Sequence, residues 1–211
     1  VTHEFNTPIS TLRLLIETAQ LRPLGSEKTQ EYLQRMAAEV ARLEQASGQV
    51  LASARLEEAT EPVSLRAHDL NELTGAVLQR LRPGLEARGA RLEFTPAPVA
   101  VPVSLEEEAF GLILGNLVDN AIKYGPPSSP VGVRVERHGD VAQLHVEDRG
   151  GGIRKGEEQR IFERFYRSGE ELTRETVGMG LGLHLVRSSV EAMNGWIRAA
   201  KGHLPLDQDW K

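Results

Sequence analysis

The stretch GNLVDNAIKYG, residues 115–125, decides how the rest of the chain is read. Asn116 and Asn120 stand one helical turn apart and Lys123 follows a turn later, so two carboxamides and an ammonium share one helical face. Leu117, Val118, Ala121 and Ile122 lie between them. A polar stripe on an otherwise apolar helix is costly to bury without partners. Carboxamide oxygens suit a hard cation such as Mg2+, which keeps several waters and takes substrate phosphates as further ligands, and a lysine offers phosphate a point charge. A helix-capping and hydrogen-bonding network explains the stripe equally well, so the flanking sequence has to decide.

Downstream, VGVRVER (131–137) and VAQLHVED (141–148) alternate apolar with polar residues and are joined by His138-Gly139-Asp140, a hairpin turn. The alternation predicts one sheet face buried and the other facing solvent. A helix from Leu70 to Arg88, short runs around RLEFTP and VAVPV, and an apolar helix from Leu105 to Tyr124 precede them; helices before and between strands, with antiparallel neighbours, indicate an α+β sandwich. The second strand ends in EDRGGGI: Asp148 can accept from an exocyclic amine, and glycines let backbone approach a flat ring, although a plain turn accounts for the same residues. Further on, VGMGLGLHL places Gly178, Gly180 and Gly182 at spacing two. The helix that follows carries apolar residues at Leu183, Val186, Val190 and Met193. A small-residue helix N-terminus presents free N–H groups and positive potential to a phosphate. The spacing is neither the Rossmann nor the P-loop pattern. Between the glycine clusters, residues 154–177 read as a flap anchored by Phe162 and Phe165, with Arg164 and Arg167 able to reach phosphate.

Upstream the character changes. Residues 1–60 hold two glycines and two prolines, against eighteen and nine in residues 61–211. Phe5, Ile9, Leu12, Ile16 and Ala19 form one run of helical spacing; Leu33, Met36, Val40, Leu43, Ser47, Val50 and Ala54 form another, with RPLGSEK (22–28) as the turn between. Two helices bury little by themselves, so the hairpin is expected to pair with a second copy as a dimeric four-helix bundle. The organisation predicted is a hairpin over residues 1–60, a linker over 61–67 around Pro62, and an α/β domain over 68–211.

Composition narrows the chemistry. The net charge of −5 gives no support to a nucleic-acid surface, and with no cysteine there is no disulfide, thiolate metal site or thiol nucleophile. No stretch reaches the roughly 20 apolar residues that span a membrane. The reading is therefore of a cytoplasmic fragment, with membrane attachment only through a region upstream of Val1. His68, His138, His145, His184 and His203 form no ligand-spaced pair and read as ordinary structural or surface residues. A zinc-protease reading of His3-Glu4 fails because the second histidine position of that motif is Thr7.

In order along the chain, HEFNTP, NLVDNAIKYG, EDRGGGI, IFERFYR and GMGLGL resemble the phosphoacceptor motif, asparagine box, first glycine box, phenylalanine box and second glycine box of the two-component sensor histidine kinases, whose GHKL-type ATP-binding domain is shared with gyrase and MutL. The resemblance covers His3 to about Lys201. It implies a dimerisation and histidine-phosphotransfer hairpin followed by an ATP-binding catalytic domain, a GHKL-type α/β sandwich with a mixed sheet and helices on one face. By motif position it implies His3 as phosphoacceptor, Glu4 as the neighbouring acid/base group and Thr7 as the polar residue tied to dephosphorylation of the partner. Asn120 is implied as the Mg2+ ligand, Asn116 and Lys123 lie near metal and phosphates, Tyr124 beside the nucleotide, and Asp148 at the adenine amine. Gly150, Gly152, Ile153, Gly178, Gly180, Leu181, Gly182 and Leu183 shape the pocket, with Phe162, Arg164 and Arg167 beside it. The implied cofactors are ATP and Mg2+, and the implied partners a response regulator receiver domain and a second copy of the chain.

The sequence departs from the family pattern at Asn6, where a basic residue is frequent, at Met179, where threonine is frequent, and after NGWIRAAKG, where HLPLDQDWK offers no last strand. Two other classes stay open on the residues: a nucleotide-binding regulatory or phosphatase module with weak kinase activity, and a related GHKL ATPase or serine kinase. Against the last, position 116 is Asn where gyrase-type ATPases have a water-activating Glu.

Overall fold

The structure is a computed structural model that describes residues 2–21, 25–58, 64–86, 89–168 and 180–201. Helix α1 (Thr2–Leu21) and helix α2 (Ser26–Glu58) pack against each other as the hairpin. Strand β1 (Arg66–Asp69) then opens the α/β domain, so regular structure begins within the stretch read as linker. It is followed by α3 (Leu70–Glu86), β2 (Arg91–Thr95), β3 (Pro102–Leu105), α4 (Glu107–Tyr124), β4 (Pro130–His138), β5 (Val141–Glu147), a 3-10 turn (Arg160–Phe162) and α5 (Gly182–Ala192).

The expected apolar runs of the hairpin divide between two sides. On α1, Phe5 and Leu12 are partly buried beside the buried Pro8 and Leu15, whereas Ile9 and Ile16 remain 50% and 45% exposed. On α2, Met36, Leu43 and Val50, at steps of seven, are partly buried, while Leu33 and Val40 stand exposed. One heptad register of each helix serves the contact inside the hairpin and the other is left open. Helix α1 continues through Pro8, which supplies no N–H to the carbonyl of Glu4.

In the α/β domain β1 pairs antiparallel with β3, and β2, β4 and β5 form a mixed sheet in that order. β2 runs parallel to β4, with Phe94 beside Val133; β5 runs antiparallel to β4, with Val133 opposite Val146 and Val135 opposite Leu144. These residues face a core built with Leu73, Val77 and Leu78 of α3 and Phe110, Leu114 and Val118 of α4. The β2–β3 loop is clamped by Asn71, whose Nδ2 donates to the carbonyls of Ala97 and Val99 and whose Oδ1 accepts from the Ala97 N–H.

The opposite sheet face differs from the solvent-facing surface expected from alternation. Arg134 pairs with Glu136 and Glu147, and His138 and His145 both approach Oε2 of Glu136, at 3.1 and 3.5 Å. Gln143 is only 5% exposed on the same face. The two histidines, unrelated by sequence spacing, meet because the hairpin register sets position 145 opposite 134 and 138 opposite 141. Among the described residues no three His, Asp or Glu side chains are placed to hold a metal ion.

Helix α5 also buries a different stripe from the predicted one. Leu181, Leu185, Val186 and Ser189 are buried, while Leu183 and Val190 are half-buried and Met193 packs at the margin of the core. Residues 193–201 contain no strand, and among the described residues β5 has β4 as its one strand neighbour.

Candidate nucleotide site

Helix α4 carries the asparagine stripe, and both its ends are fixed locally. Glu106 caps the N-terminus by accepting from the N–H groups of Glu108 and Ala109, and Gly125 closes the C-terminus with its N–H on the Ala121 carbonyl at 2.9 Å. Phe110, Ile113, Leu114, Val118 and Ala121 bury one face. That orientation leaves Asn116, Asn120 and Lys123 half-buried and Tyr124 exposed on the other side. Asn116 turns Nδ2 back to the Leu112 carbonyl at 2.9 Å. With Asp119, Leu112 and Leu185 it lines a groove of about 490 Å3 that extends to Gly48 of the hairpin. Asn120, one turn on, lies outside that groove. Lys123 places Nζ 5.1 Å from the centre of the Tyr124 ring, which holds the ammonium at the helix end.

The end of β5 is brought to the same place by a glycine. A Cβ on Gly150 would collide with the carbonyl oxygen of Tyr124, so only glycine lets the strand end lie against the end of α4. The Gly150 N–H donates to Oδ1 of Asp148 at 2.7 Å, which fixes the carboxylate, and Oδ2 meets no donor among the described residues. An exposed acceptor oxygen on a pinned carboxylate is suited to an exocyclic amine on a flat base. Gly152 has φ +73°, and Ile153 beyond it is half-buried.

The other side of the site is the start of α5. Leu181 is buried and supplies no side-chain cap. The Leu185 N–H returns to the Leu181 carbonyl at 2.9 Å, so the N–H groups of Gly182, Leu183 and His184 have no acceptor within the helix. They meet none among the other described residues. Their dipole adds positive potential for an anion. Helix α5 packs on α4, which brings this end to the stripe-bearing helix. Gly178 lies outside the described residues, as does most of the second half of the expected flap.

The phenylalanine segment links the two glycine clusters. Phe162 is 4% exposed, as an anchor should be, but Phe165 is not a second anchor: it is 43% exposed and has φ +64°. Its N–H donates to the Gly180 carbonyl at 3.0 Å. A Cβ on Gly180, at φ +68°, would fall 2.7 Å from the Tyr166 carbonyl oxygen. The turn thus bends so that its backbone can seat Gly180. Arg164 stacks 5.1 Å from the Phe165 ring centre, and both it and Arg167 have other partners in this state.

Sequence reading missed a carboxylate behind this turn. Glu157 accepts from the Ser168 hydroxyl, with the Tyr166 phenol close to the same carboxylate. The Ser168 bond above all holds the Glu157 carboxyl below its ordinary range, against some desolvation, with Tyr166, Arg154 and Arg160 acting the same way. Partial burial, then the bond to Glu157, raises the Tyr166 phenol. The only signal in the sequence was an acidic residue eleven positions before a serine, which no local period picks out.

At the N-terminus, His3, Glu4 and Thr7 lie on consecutive turns of α1. The backbone of His3 and Glu4 is helical; their side chains lie outside the described residues. Gly150 thus sets Asp148 against the Tyr124 end of α4, near Asn120 and Lys123, while α5 packs along the same helix with Leu185 lining the groove beside Asn116 and Asp119.

Two family models match the chain: "His Kinase A (phospho-acceptor) domain" over residues 1–59 and "Histidine kinase-, DNA gyrase B-, and HSP90-like ATPase" over residues 106–205. A solved mycobacterial sensor histidine kinase, MprB, is 31% identical, and the match covers 64% of this chain and 83% of that one with a TM-score of 0.53. The chain belongs to the sensor histidine kinases. Within that family, the sensor-like histidine kinase SenX3 of Mycolicibacterium smegmatis is 31% identical over 94% of this chain and 51% of its own length. The chain thus spans about half the length of the curated relatives it matches. The histidine kinase ThkA, solved in complex with the response regulator TrrA, shares the fold at a TM-score of 0.71 and 21% identity over 92% of this chain and 54% of that one. Membership makes the α/β half an ATP-using domain and the hairpin a phosphoacceptor-type domain. Among the described residues no helix is long and apolar enough to cross a membrane.

Proposed function

We propose that the chain is an ATP-dependent protein-histidine kinase core, with the hairpin over residues 1–60 as acceptor and dimerisation domain and residues 68–211 as catalytic domain. The reading is carried by the pinned Asp148 carboxylate set against the Tyr124 end of α4, the helix that bears the stripe and against which α5 packs with its amide-bearing start. Asp148 Oδ2 would take the adenine amine, with Tyr124 against the base. Lys123 and the first N–H groups of α5 would neutralise the phosphates, since phosphoryl transfer needs positioning and charge stabilisation above all.

The residue chemistry fits Mg2+: Asn120 would provide one carboxamide oxygen, and phosphates and water would supply the other ligands. Such an ion, when bound, shields the charge of the phosphate oxygens. A neutral ring nitrogen of His3 attacks the γ-phosphorus in line, the bond from phosphorus to the bridging β–γ oxygen breaks, and ADP leaves with that electron pair. Glu4 holds the proton of the other ring nitrogen and so sets the tautomer. The phosphoryl group then passes to an aspartate of a response regulator receiver domain, and Thr7 orients water in the reverse, dephosphorylating reaction. ThkA, bound to TrrA, supports that partner class.

The open heptad registers support a homodimer through the hairpin. Incubation with γ-labelled ATP and Mg2+ tests the reading. Acid-labile, alkali-stable label on the wild type and none on His3→Ala is expected. Nucleotide binding without label would favour a regulatory module, and phosphate release independent of His3 would favour an ATPase.

A further inference from the structure

We propose that Glu157 is a positioning residue for nucleotide binding: its carboxylate clamps the Phe165–Ser168 turn in the shape that seats Gly180 and, through it, the start of α5. The inference rests on the reading of that helix start as the phosphate site.

The connection can be followed atom by atom. Glu157 is itself held on both sides of its backbone, its N–H on the Arg154 carbonyl at 3.0 Å and its carbonyl accepting from Ile161 at 3.0 Å. From this fixed base the carboxylate takes the hydroxyl of Ser168, and the phenol of Tyr166, two residues earlier on the turn, lies close to it. Arg160, one turn from Glu157, covers the Tyr166 ring with its guanidinium 4.5 Å from the ring centre. The turn is thereby gripped on its side-chain face. Its backbone face is the seat: the Phe165 N–H bonds the Gly180 carbonyl, and Gly180 lies so close to Phe165 and Tyr166 that no Cβ fits.

Gly180 is two residues before the first residue of α5, so a shift of the turn is transmitted to the N–H groups of Gly182, Leu183 and His184. Phe165 also occupies positive φ, which costs about 1–3 kcal/mol and persists only where neighbours enforce it. Phe162 anchors the segment before the strained residue. Glu157 is the group that anchors the residues after it. Neither the asparagine box nor the glycine boxes include this residue, and it touches neither nucleotide nor metal in the proposed mechanism.

The test compares Mg-ATP affinity and ATP-dependent labelling of the whole chain in the wild type, Glu157→Ala, Glu157→Gln, Ser168→Ala and the Glu157→Ala/Ser168→Ala double variant. Glu157→Ala is expected to weaken Mg-ATP binding and raise its KM about three- to tenfold, the scale of losing partly exposed charge-assisted hydrogen bonds. The labelling rate at saturating ATP should stay within about twofold, because the reacting groups are untouched. Glu157→Gln keeps a carbonyl acceptor and should recover most of the affinity. Ser168→Ala should weaken binding in the wild-type background and add nothing in Glu157→Ala, since both act through one clamp.

Unchanged affinity in Glu157→Ala, or additive effects of the two substitutions, would overturn the inference. If Glu157→Ala does not fold, Ser168→Ala and Tyr166→Phe, each lacking one hydroxyl on the turn, carry the same expectation, and normal Mg-ATP affinity in both would overturn it. A wild type that fails to bind Mg-ATP would overturn the nucleotide-site reading and this inference together. A wild type that binds, with variants indistinguishable from it, would overturn the inference alone.

Discussion

At the scale of single residues, the site depends on backbone approach as much as on side-chain chemistry. Asp148 is useful because one oxygen is committed and the other is not. The Gly150 N–H holds Oδ1 and leaves Oδ2 uncommitted among the described residues. In Asp148→Asn the amide oxygen keeps the Gly150 bond, while the NH2 that replaces Oδ2 is a donor facing a donor. We expect ATP affinity to fall about 10- to 100-fold, the scale of losing a hydrogen bond to a charged group, with the melting temperature of the unliganded protein unchanged; a nucleotide titration beside a thermal melt checks both. Gly180→Ala attacks the opposite wall. It combines positive φ with a Cβ that would fall 2.7 Å from the Tyr166 carbonyl oxygen, a strain of about 1–3 kcal/mol. Weaker Mg-ATP binding is expected, together with a melting temperature lowered by a few degrees.

At the scale of elements, the sequence was readable wherever one period governed the segment. Helix α4 and the β4–β5 hairpin fell within a residue or two of their predicted limits because an apolar stripe and an alternating strand each have a single plausible burial. Helix α5 was not so readable. Leu183 and Leu185 are equally apolar, and it is tertiary packing, on α4 and through the seat of Gly180 on the Phe165 turn, that buries Leu185 and leaves Leu183 half-exposed. The His138–Glu136–His145 cluster depends on register and the Glu157 clamp on a tertiary turn, neither of which a local pattern contains.

The clamp makes a titration prediction with a definite sign. The Glu157 carboxyl lies below its ordinary value, so its contribution is present above the unfolded value of about 4.3 and is lost as pH falls through the folded value. The Tyr166 phenol lies above its ordinary value, so its contribution is present below about 10 and is lost as pH rises through the folded value. The clamp is whole between these limits. In a phenolate absorbance titration, one of the three tyrosines should ionise later than a free phenol. That late phase should vanish in Tyr166→Phe and move toward a lower pH in Glu157→Ala, keeping the part of the shift that burial causes.

At the scale of the whole molecule, two designs meet: an α/β domain built around one contiguous apolar core, and a hairpin that leaves one apolar register of each helix exposed. Each hairpin run was read in the sequence as one seam. The structure divides it, with Phe5 and Leu12 turned inward and Ile9 and Ile16 outward, and the same division in α2 between Met36 with Leu43 and Leu33 with Val40. A seven-residue repeat with both registers apolar is what a helix facing two neighbours requires, and a single hairpin supplies one of them. The second neighbour could not be read from one chain's local pattern, since period alone does not say which copy fills which side.

A charge placed on the outward register tests this directly. Ile16→Glu or Val40→Glu leaves the contact inside the hairpin intact and would bury an unpaired carboxylate in a bundle of two copies, a cost of about 3 kcal/mol per site, or about 100-fold in dissociation constant. Light scattering across a concentration series should show a dimer for the wild type and a monomer for the double variant Ile16→Glu/Val40→Glu. Mg-ATP affinity should be the same for both, because no group at the end of α4 is altered. A double variant that stays dimeric would place the interface elsewhere and leave the open register unexplained; one that becomes monomeric and still binds nucleotide would show that the two halves of the chain hold separate functions, joined only when His3 is presented to the phosphate.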